Sequence, residues 1–302
     1  HVFSALLICL TLTACSDNDD PVSTTPPDDD QLNIVEIAQD SDDFNILVSA
    51  LGDADLVSAL SAEGPFTVFA PTDNAFESLP DGLLESLTPD QLTEILSYHV
   101  ISGEIMSGDL SEEQSASALS GGDLYITAGD QVVVNGKATV TTADIEASNG
   151  VIHVIDDILL PDAFLDVVGV VMKRYTLQTL VGAVVDADLA ETLMAENEAG
   201  YTVFAPSNEA FAALPDGTLE SLTQEDLQGI LTYHVLAAEV LSGEISPGTV
   251  ETVNGAELDI DISNGTVTLT DQTGNTVTVT TADLQGTNGV VHVIDGVLLP
   301  GS

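Results

Sequence analysis

The stretch Thr67-Val-Phe-Ala-Pro-Thr-Asp-Asn-Ala-Phe76 occurs twice in this chain of 302 residues. It returns 135 positions later as Thr202-Val-Phe-Ala-Pro-Ser-Asn-Glu-Ala-Phe211, and a second block, Asn149-Gly-Val-Ile-His-Val-Ile-Asp156, returns 139 positions later as Asn288-Gly-Val-Val-His-Val-Ile-Asp295. A period of this length exceeds that of solenoid repeats and equals the usual size of an independent domain, about 100 to 150 residues. The sequence therefore predicts two similar domains, each with its own core.

The N-terminal residues have the layout of a secretion signal. An apolar run from Val2 to Leu12 ends in Leu12-Thr-Ala-Cys15, and polar, acidic sequence follows. This tetrad resembles the lipobox of bacterial lipoproteins, so we expect residues 1–14 to be removed and the sulfur of Cys15 to carry a diacylglycerol. In a Gram-negative cell, Ser16, in place of an aspartate that would favour the inner membrane, favours the outer membrane. Ordinary secretion with an unmodified Cys15 is the alternative.

Composition sets the predicted domain boundaries. Residues 15–31 are rich in Pro, Thr and Asp and have little to bury, so they are interpreted as an acidic tether. The first domain is predicted to span residues 32–161 and the second 162–302. The connection around residues 161–165 is short and partly apolar, which predicts that the two domains contact each other.

The chain is strongly acidic, with 50 Asp and Glu residues against three Lys and Arg residues and a formal net charge of −47. Nucleic acid is excluded as a partner because phosphate binding needs clustered basic residues. Anionic lipid head groups are repelled for the same reason, so the lipid anchor is the expected membrane contact. Such a charge favours a marine or halophilic source, where salt screens the repulsion, and weak association of divalent cations with the surface.

Local patterns predict helices in the first part of each repeat and strands in the second. Phe66–Ala70 is a short apolar run stopped by proline, which predicts a buried strand. Thr88-Pro-Asp-Gln91 matches a capping box that starts a helix, and Thr223 starts its partner in the second copy. Asn264-Gly265 predicts a two-residue hairpin, and Asn135-Gly136 is interpreted as its counterpart. The predicted fold class is therefore α+β.

Three repeated blocks together resemble the fasciclin-like (FAS1) domain: the Thr-Val-Phe-Ala-Pro block, a Tyr-His pair at a helix end, and the Asn-Gly-x-x-His-Val-Ile-Asp block. Both copies carry all three, in the same order. The resemblance implies two tandem domains, each a β-sandwich with helices packed on one side. It also implies a role in cell adhesion and extracellular matrix contact, without a catalytic activity common to the family.

In animal members of this family an adhesive role is attributed to a Tyr-His pair flanked by branched aliphatic residues. The positions that match are Tyr98 with His99 and Tyr233 with His234. The resemblance thus implies that these four residues are candidates for interaction with a protein, or with a matrix or polysaccharide surface.

The repeated histidines also have a plain structural interpretation. His99 follows the apolar stripe of its helix, and His153 and His292 lie in apolar runs typical of strands covered on both faces. We therefore expect core histidines in preference to ligands or general bases. No nucleophile elbow, phosphate loop or zinc motif occurs, so no catalytic residue and no cofactor is expected. Asp259–Gly265 begins like a calcium loop but has its glycine one place late and no terminal glutamate, so no metal site is assigned.

These observations favour a non-enzymatic adhesion lipoprotein of the bacterial cell envelope, at the outer membrane, the cell surface or the periplasm. An envelope ligand-binding or scaffolding protein is the first alternative, and a hydrolase that uses the repeated histidines is the second. Function is expected where the copies differ. Those places are the helix after Pro161, with Lys173 and Arg174, and the longer hairpin region of the second copy.

Overall fold

The structure is a computed structural model that describes residues 31–79, 82–215, 217–263 and 265–301. The predicted signal segment, the lipid attachment at Cys15 and the tether up to residue 30 lie outside the described residues. Among the residues described, none of the helices has both the length and the apolar character needed to cross a membrane.

The described residues form twelve α-helices and fourteen strands. The helices are α1 (Ile34–Gln39), α2 (Asn45–Asp53), α3 (Val57–Leu60), α4 (Asp73–Glu77), α5 (Leu83–Ser86), α6 (Pro89–Tyr98), α7 (Val167–Met172), α8 (Gln178–Asp186), α9 (Ala190–Met194), α10 (Asn208–Ala212), α11 (Thr218–Ser221) and α12 (Gln224–Tyr233). The strands are β1 (Phe66–Pro71), β2 (Val100–Ser102), β3 (Glu113–Ser117), β4 (Asp123–Ala128), β5 (Val132–Val134), β6 (Ala138–Ala147), β7 (Gly150–Ile155), β8 (Tyr201–Pro206), β9 (Val235–Leu236), β10 (Gly248–Glu251), β11 (Glu257–Ser263), β12 (Thr266–Thr270), β13 (Thr276–Gly286) and β14 (Gly289–Ile294).

Each domain contains one seven-stranded sheet of the same topology. The strand order is β2-β1-β7-β6-β5-β4-β3 in the first domain and β9-β8-β14-β13-β12-β11-β10 in the second. The two repeated sequence blocks form the parallel pairs β1–β7 and β8–β14, whereas the other neighbours are antiparallel. The two repeated blocks therefore form the one parallel strand pair of each described sheet.

The long strands β6 and β13 bend the sheets into sandwiches. The pairing of β6 with β7 shifts register twice, and Asp144, within the second shift, has a left-handed φ of 60°. Such bulges bend a strand and increase its twist. As a result Phe69 and Ile155 from one half of the sheet pack against Leu124 and Ile126 from the other.

Helices cover the opposite face of the central strands. Alternate residues of β1 point to this side, where Val68 and Ala70 pack against the first three helices and α6. The sides alternate because successive side chains in a strand point to opposite faces. The second domain repeats both layers. The predicted fold class is thus confirmed, with two α+β domains in which helices pack on one side of a sandwich.

The repeated Asn-Gly dipeptide fastens the helices to the sheet. The side-chain oxygen of Asn149 accepts from the backbone N–H of Ile34 at 3.0 Å, and its Nδ2 donates to the carbonyl of Leu60 at 2.7 Å. Gly150 follows with a φ of 151°, and a Cβ there would lie 2.0 Å from the carbonyl oxygen of Phe66. A residue with a side chain would therefore separate β7 from β1.

The local predictions agree with the structure except at one hairpin. The strand at Phe66 and both capping boxes, at Thr88 and Thr223, are confirmed. Asn264 lies outside the described residues, but the flanking Ser263 and Thr266 pair directly, as the predicted two-residue hairpin requires.

The proposed equivalence of Asn135-Gly136 with that hairpin is wrong. These two residues join β5 to β6, whereas the hairpin at residues 264–265 joins β11 to β12, which is one turn earlier in the repeat. Asn135 and Gly136 both have positive φ, so they satisfy the same turn chemistry at a different place.

Candidate functional site

The predicted interaction residues lie inside the two domains. Tyr98 and Tyr233 are the last residues of α6 and α12, and His99 and His234 cap those helices. Both tyrosines are 0% exposed and both histidines 2% exposed. In this conformation no side-chain atom of the four is presented to a partner, so a direct role in binding stays a prediction.

The hydroxyl group of Tyr98 is the centre of a hydrogen-bond cluster. It donates to the carbonyl of Asp123 at 2.6 Å and accepts from Asn135 Nδ2 at 3.2 Å and from Lys173 Nζ at 2.9 Å. Burial raises the pKa of Tyr98 far above its ordinary value, and the bond from Asn135 opposes that shift. Tyr98 is therefore a neutral, fully bonded tyrosine. In the second domain the Tyr233 hydroxyl donates to the carbonyl of Glu257 at 2.8 Å.

Both ring nitrogens of His99 are occupied by the backbone. Nδ1–H donates to the carbonyl of Ile95 at 2.7 Å, and Nε2 accepts from the N–H of Leu159 at 2.9 Å. His234 makes the same pair of bonds in the second domain. Burial lowers the pKa of both histidines to about 4, because a charged ring would lose its hydration. Each ring is thus neutral near pH 7 and links a helix end to the chain after the last strand of its sheet.

His153 and His292 form the second repeated pair, and they are 3% and 0% exposed. In His153, Nε2–H donates to the carbonyl of Ile105 at 2.8 Å while Nδ1 accepts from the N–H of Asp144 at 3.2 Å. His292 bonds in the same way to Val240 and Asp283. These rings support the bulge that bends each sheet, and none of their nitrogens is free to accept a proton from a substrate.

Two of the three basic residues form the junction between the domains. Lys173 and Arg174 follow α7 in the second domain, and both are buried. The ammonium group of Lys173 lies 5.1 Å from the ring centre of Tyr98 in the first domain, in addition to its hydrogen bond with the hydroxyl. The guanidinium of Arg174 lies 5.3 Å from the ring centre of Tyr125, also in the first domain. The predicted contact between the domains is therefore confirmed.

Asp162, at the start of the second domain, forms an ion pair with each of the two cations. One carboxylate oxygen lies 2.6 Å from Lys173 Nζ and the other lies 2.6 Å from the guanidinium of Arg174. Burial lowers the pKa of Lys173, and the Asp162 carboxylate opposes that shift. Sequence reasoning expected function at the two basic residues. That expectation stays a prediction, and in the structure both charges are bonded within the chain, at the junction.

No sequence pattern marks Asp162 or Tyr125 as part of the junction, and Asn135-Gly136 indicates only a turn. The cluster around Tyr98 and Lys173 forms only where the two domains pack together. Within the described residues, no group of three or more His, Cys, Asp and Glu side chains is placed to hold a metal ion. The diffuse association of divalent cations stays a prediction.

The chain thus has two tandem α+β domains that share one topology and one buried Tyr-His pair, and the domains meet at a charged junction. These features define a class of paired-domain proteins. The chain belongs to the fasciclin domain family, which it matches over residues 42–161 and 175–300. The predicted family is therefore confirmed.

Relatives include a cyanobacterial and a human protein. Protein sll1483 of Synechocystis sp. is 50% identical over 137 residues, covering 44% of this chain and 76% of that protein. Human periostin is 33% identical over 277 residues, covering 89% of this chain. The match covers 31% of periostin, so this chain spans about a third of that protein.

Among solved structures, the chain is similar to a FAS1 domain pair from the insect cell adhesion molecule fasciclin I, with a TM-score of 0.56. The sequence identity is 18%, and the match covers 83% of this chain and 95% of that one. This similarity shows the shared fold of a domain pair.

Proposed function

We propose that this protein is a non-enzymatic adhesion protein that acts as a joined pair of fasciclin domains at a cell surface. The observation that carries the proposal is the buried junction. Lys173, Arg174 and Asp162 place three charged groups where the domains meet, and tyrosines of the first domain contact both cations. A fixed pair presents two surfaces in one geometry, which favours simultaneous engagement of an extended partner. The similar insect domain pair also comes from a cell adhesion molecule.

The repeated histidines support a non-enzymatic function over a hydrolase. General base catalysis requires a ring nitrogen within hydrogen-bond reach of a substrate proton. Both nitrogens of all four rings bond to the backbone instead. Protonating any of them would break a bond that holds the fold together.

Adhesion is tested with beads that carry the protein. Attachment to bacterial cells and to surfaces coated with matrix protein or polysaccharide is measured in salt that screens the −47 charge. We expect saturable attachment that the soluble chain blocks, and weaker attachment for Asp162→Asn, in which each domain stays folded but the junction is loosened. Attachment no greater than that of bare beads on every surface would contradict the proposal.

We propose that Tyr98 and Tyr233 act in adhesion through the fold and not by touching the partner. Phe substitution keeps each ring and removes the hydroxyl, with its bonds to Asp123 or to Glu257. Attachment and the free energy of unfolding should then fall together in each variant. Loss of attachment with unchanged stability would instead indicate direct contact.

We also propose that Cys15 is lipidated and anchors the chain to the cell envelope. Mass spectrometry of the membrane fraction should show a mature N-terminus at Cys15 with a diacylglycerol, and Cys15→Ser should be released from that fraction. An unmodified Cys15 in the native protein would contradict this proposal and favour ordinary secretion.

A marine or halophilic source is proposed from the charge alone. Because 50 acidic side chains greatly outnumber three basic ones, added NaCl should raise the thermal unfolding temperature by screening the repulsion between the acidic groups. A melting temperature that does not rise from low salt would contradict it.

A further inference from the structure

The second domain contains an apolar cavity of about 160 Å³ between its helices and the central strands. Val171 and Val184 line it from the helices, and Phe204 and Val235 from the strands. His234 contributes the one polar side chain of the lining, and both its ring nitrogens bond to the backbone. Burial also keeps the pKa of this ring at about 4. A ligand in the cavity would therefore contact carbon and sulfur atoms but no free polar side chain.

The matching space in the first domain is nearly filled, with a volume of about 20 Å³. Helices α7 and α8 begin 133 residues after α1 and α2, so their positions can be paired directly. Phe44 lines the small cavity, whereas its counterpart Leu177 does not reach the large one. Leu51 is replaced by the smaller Val184. Two further exchanges change this layer, Ile34 to the smaller Val167 and Ala38 to the larger Val171.

Three exposed apolar side chains lie at the mouth of the large cavity. They are Met172, Val185 and Met194, with exposed fractions of 41%, 62% and 43%. The same positions in the first domain carry Gln39, Gly52 and Ser61, and all three are exposed. An exposed apolar cluster on an otherwise acidic protein is typical of a binding site. The larger cavity and the apolar mouth thus occur together in one domain and are absent together at the matching positions of the other.

The size and charge of the site indicate the ligand. An apolar cavity of about 150 Å³ stays dry and accepts benzene, so this one holds roughly six to eight carbon atoms. The helices at the mouth carry the exposed acidic residues Asp186 and Glu191. Lys173 and Arg174, the two cations that follow α7, are buried and paired with Asp162. A negatively charged head group would be repelled there, and a buried charge would find no partner in the wall. The ligand that fits is uncharged.

We propose that the second domain binds an uncharged hydrocarbon ligand, with a ring or chain end of roughly eight carbons inside the cavity and the remainder against Met172, Val185 and Met194. This function is separate from the proposed adhesion, since the cavity lies within the second domain and its lining contains none of the junction residues Asp162, Lys173 and Arg174.

The test is isothermal titration calorimetry of the full chain with 1-octanol and with octanoate at pH 7, which share a chain length and differ in charge. We expect one saturable site for octanol, and octanoate binding at least ~10-fold weaker at low salt. The variant Leu177→Phe/Val184→Leu places the side chains of the first domain in the second. It should bind octanol at least ~10-fold more weakly while unfolding cooperatively like the parent chain.

The matched control is Leu51→Val in the first domain, which should leave octanol binding unchanged. Equal octanol binding by the parent and the filled variant would place the ligand elsewhere in the chain and overturn the proposal. Absence of octanol binding by the parent chain would overturn it as well. So would a concentration-dependent dimer in sedimentation that dissociates on Met172→Gln/Val185→Gly/Met194→Ser, because the mouth would then bind a second copy.

Discussion

The helix layer of the first domain is closed, whereas the same layer of the second domain contains a cavity of about 160 Å³ with an apolar mouth. Topology, capping boxes and buried Tyr-His pairs are the same in both domains. The difference comes from a few side-chain exchanges, such as Leu51 to Val184 and Gly52 to Val185. A duplicated fold can thus keep its framework in both copies while one copy acquires a different interior.

The junction adds a second asymmetry. The Tyr98 hydroxyl accepts a hydrogen bond from Lys173 of the other domain. The loop that corresponds to Asn135 carries Asp271 in the second domain, and its carboxylate accepts from the backbone N–H groups of Thr273 and Leu299 in the same domain. The tyrosine of the first domain therefore joins the two halves, whereas the second domain bonds its equivalent loop internally.

Loss of Asp162 at the junction should have the largest effect on the free energy of unfolding. Asp162→Asn leaves Lys173 and Arg174 buried without their ion-pair partner, and breaking such a pair costs about 3–5 kcal/mol. Urea unfolding should show this loss and should separate the transitions of the two domains. The control is Lys137→Met, which breaks the ion pair with Asp157 but removes a side chain that is 72% exposed. It should cost below about 1 kcal/mol, and equal effects of the two variants would contradict a stabilising role for the junction.

The core histidines should give the two domains the same pH dependence of stability, because both domains bury a matching ring. The pKa of His99 and of His234 is about 4 in the fold and near 6.5 when unfolded. Their contribution to stability is complete above pH 6.5 and is lost as pH falls from 6.5 towards 4, by an amount on the order of 3 kcal/mol for each ring.

This pH dependence is measured by urea unfolding across that range. His99→Gln and His234→Gln should each be less stable at pH 7, and each should lose less stability on acidification than the parent chain. The two variants should behave alike, because the rings make matching bonds. A parent chain and variants with parallel pH profiles would show that these rings are not buried in solution.

Removal or addition of one methylene group at matched positions should have the smallest effect on stability. It distinguishes the filled helix layer of the first domain from the cavity-containing layer of the second. Leu51→Val should destabilise the filled first domain by about 1 kcal/mol, as loss of one buried methylene does. Val184→Leu should be neutral or stabilising by up to about 1 kcal/mol, because the cavity has room for the added carbon. The change in unfolding free energy measures both. A cost of about 1–3 kcal/mol for Val184→Leu, as overpacking produces, would show that the second cavity is closed in solution.

The framework could be predicted from the sequence because local chemistry determines it. A Thr hydroxyl that accepts from the third helical N–H, or an apolar run stopped by proline, acts within a few residues. The burial of His153 likewise followed from a strand without alternating polarity. The prediction for Asn135-Gly136 was wrong because an Asn-Gly dipeptide suits two different turns of the repeat. The sequence does not say which strands such a turn joins.

The junction and the cavity could not be predicted in the same way. Lys173 and Tyr98 are 75 residues apart, and their contact depends on how the two domains pack. The cavity depends on small differences in side-chain volume between paired helices. A signal for it exists, since pairing positions at a spacing of 133 residues places Val185 opposite Gly52 and Met194 opposite Ser61. The two repeated blocks recur at spacings of 135 and 139, so aligning the copies on those blocks does not bring the helix positions into register.

The difference between the two interiors can be seen directly in a crystal structure determined under xenon pressure. Xenon enters apolar cavities of about 150 Å³ without needing a polar partner. We predict a xenon atom in the second domain against Val184 and Phe204, and none at the matching place beside Leu51 in the first. Xenon in both domains, or in neither, would contradict a difference between the two interiors.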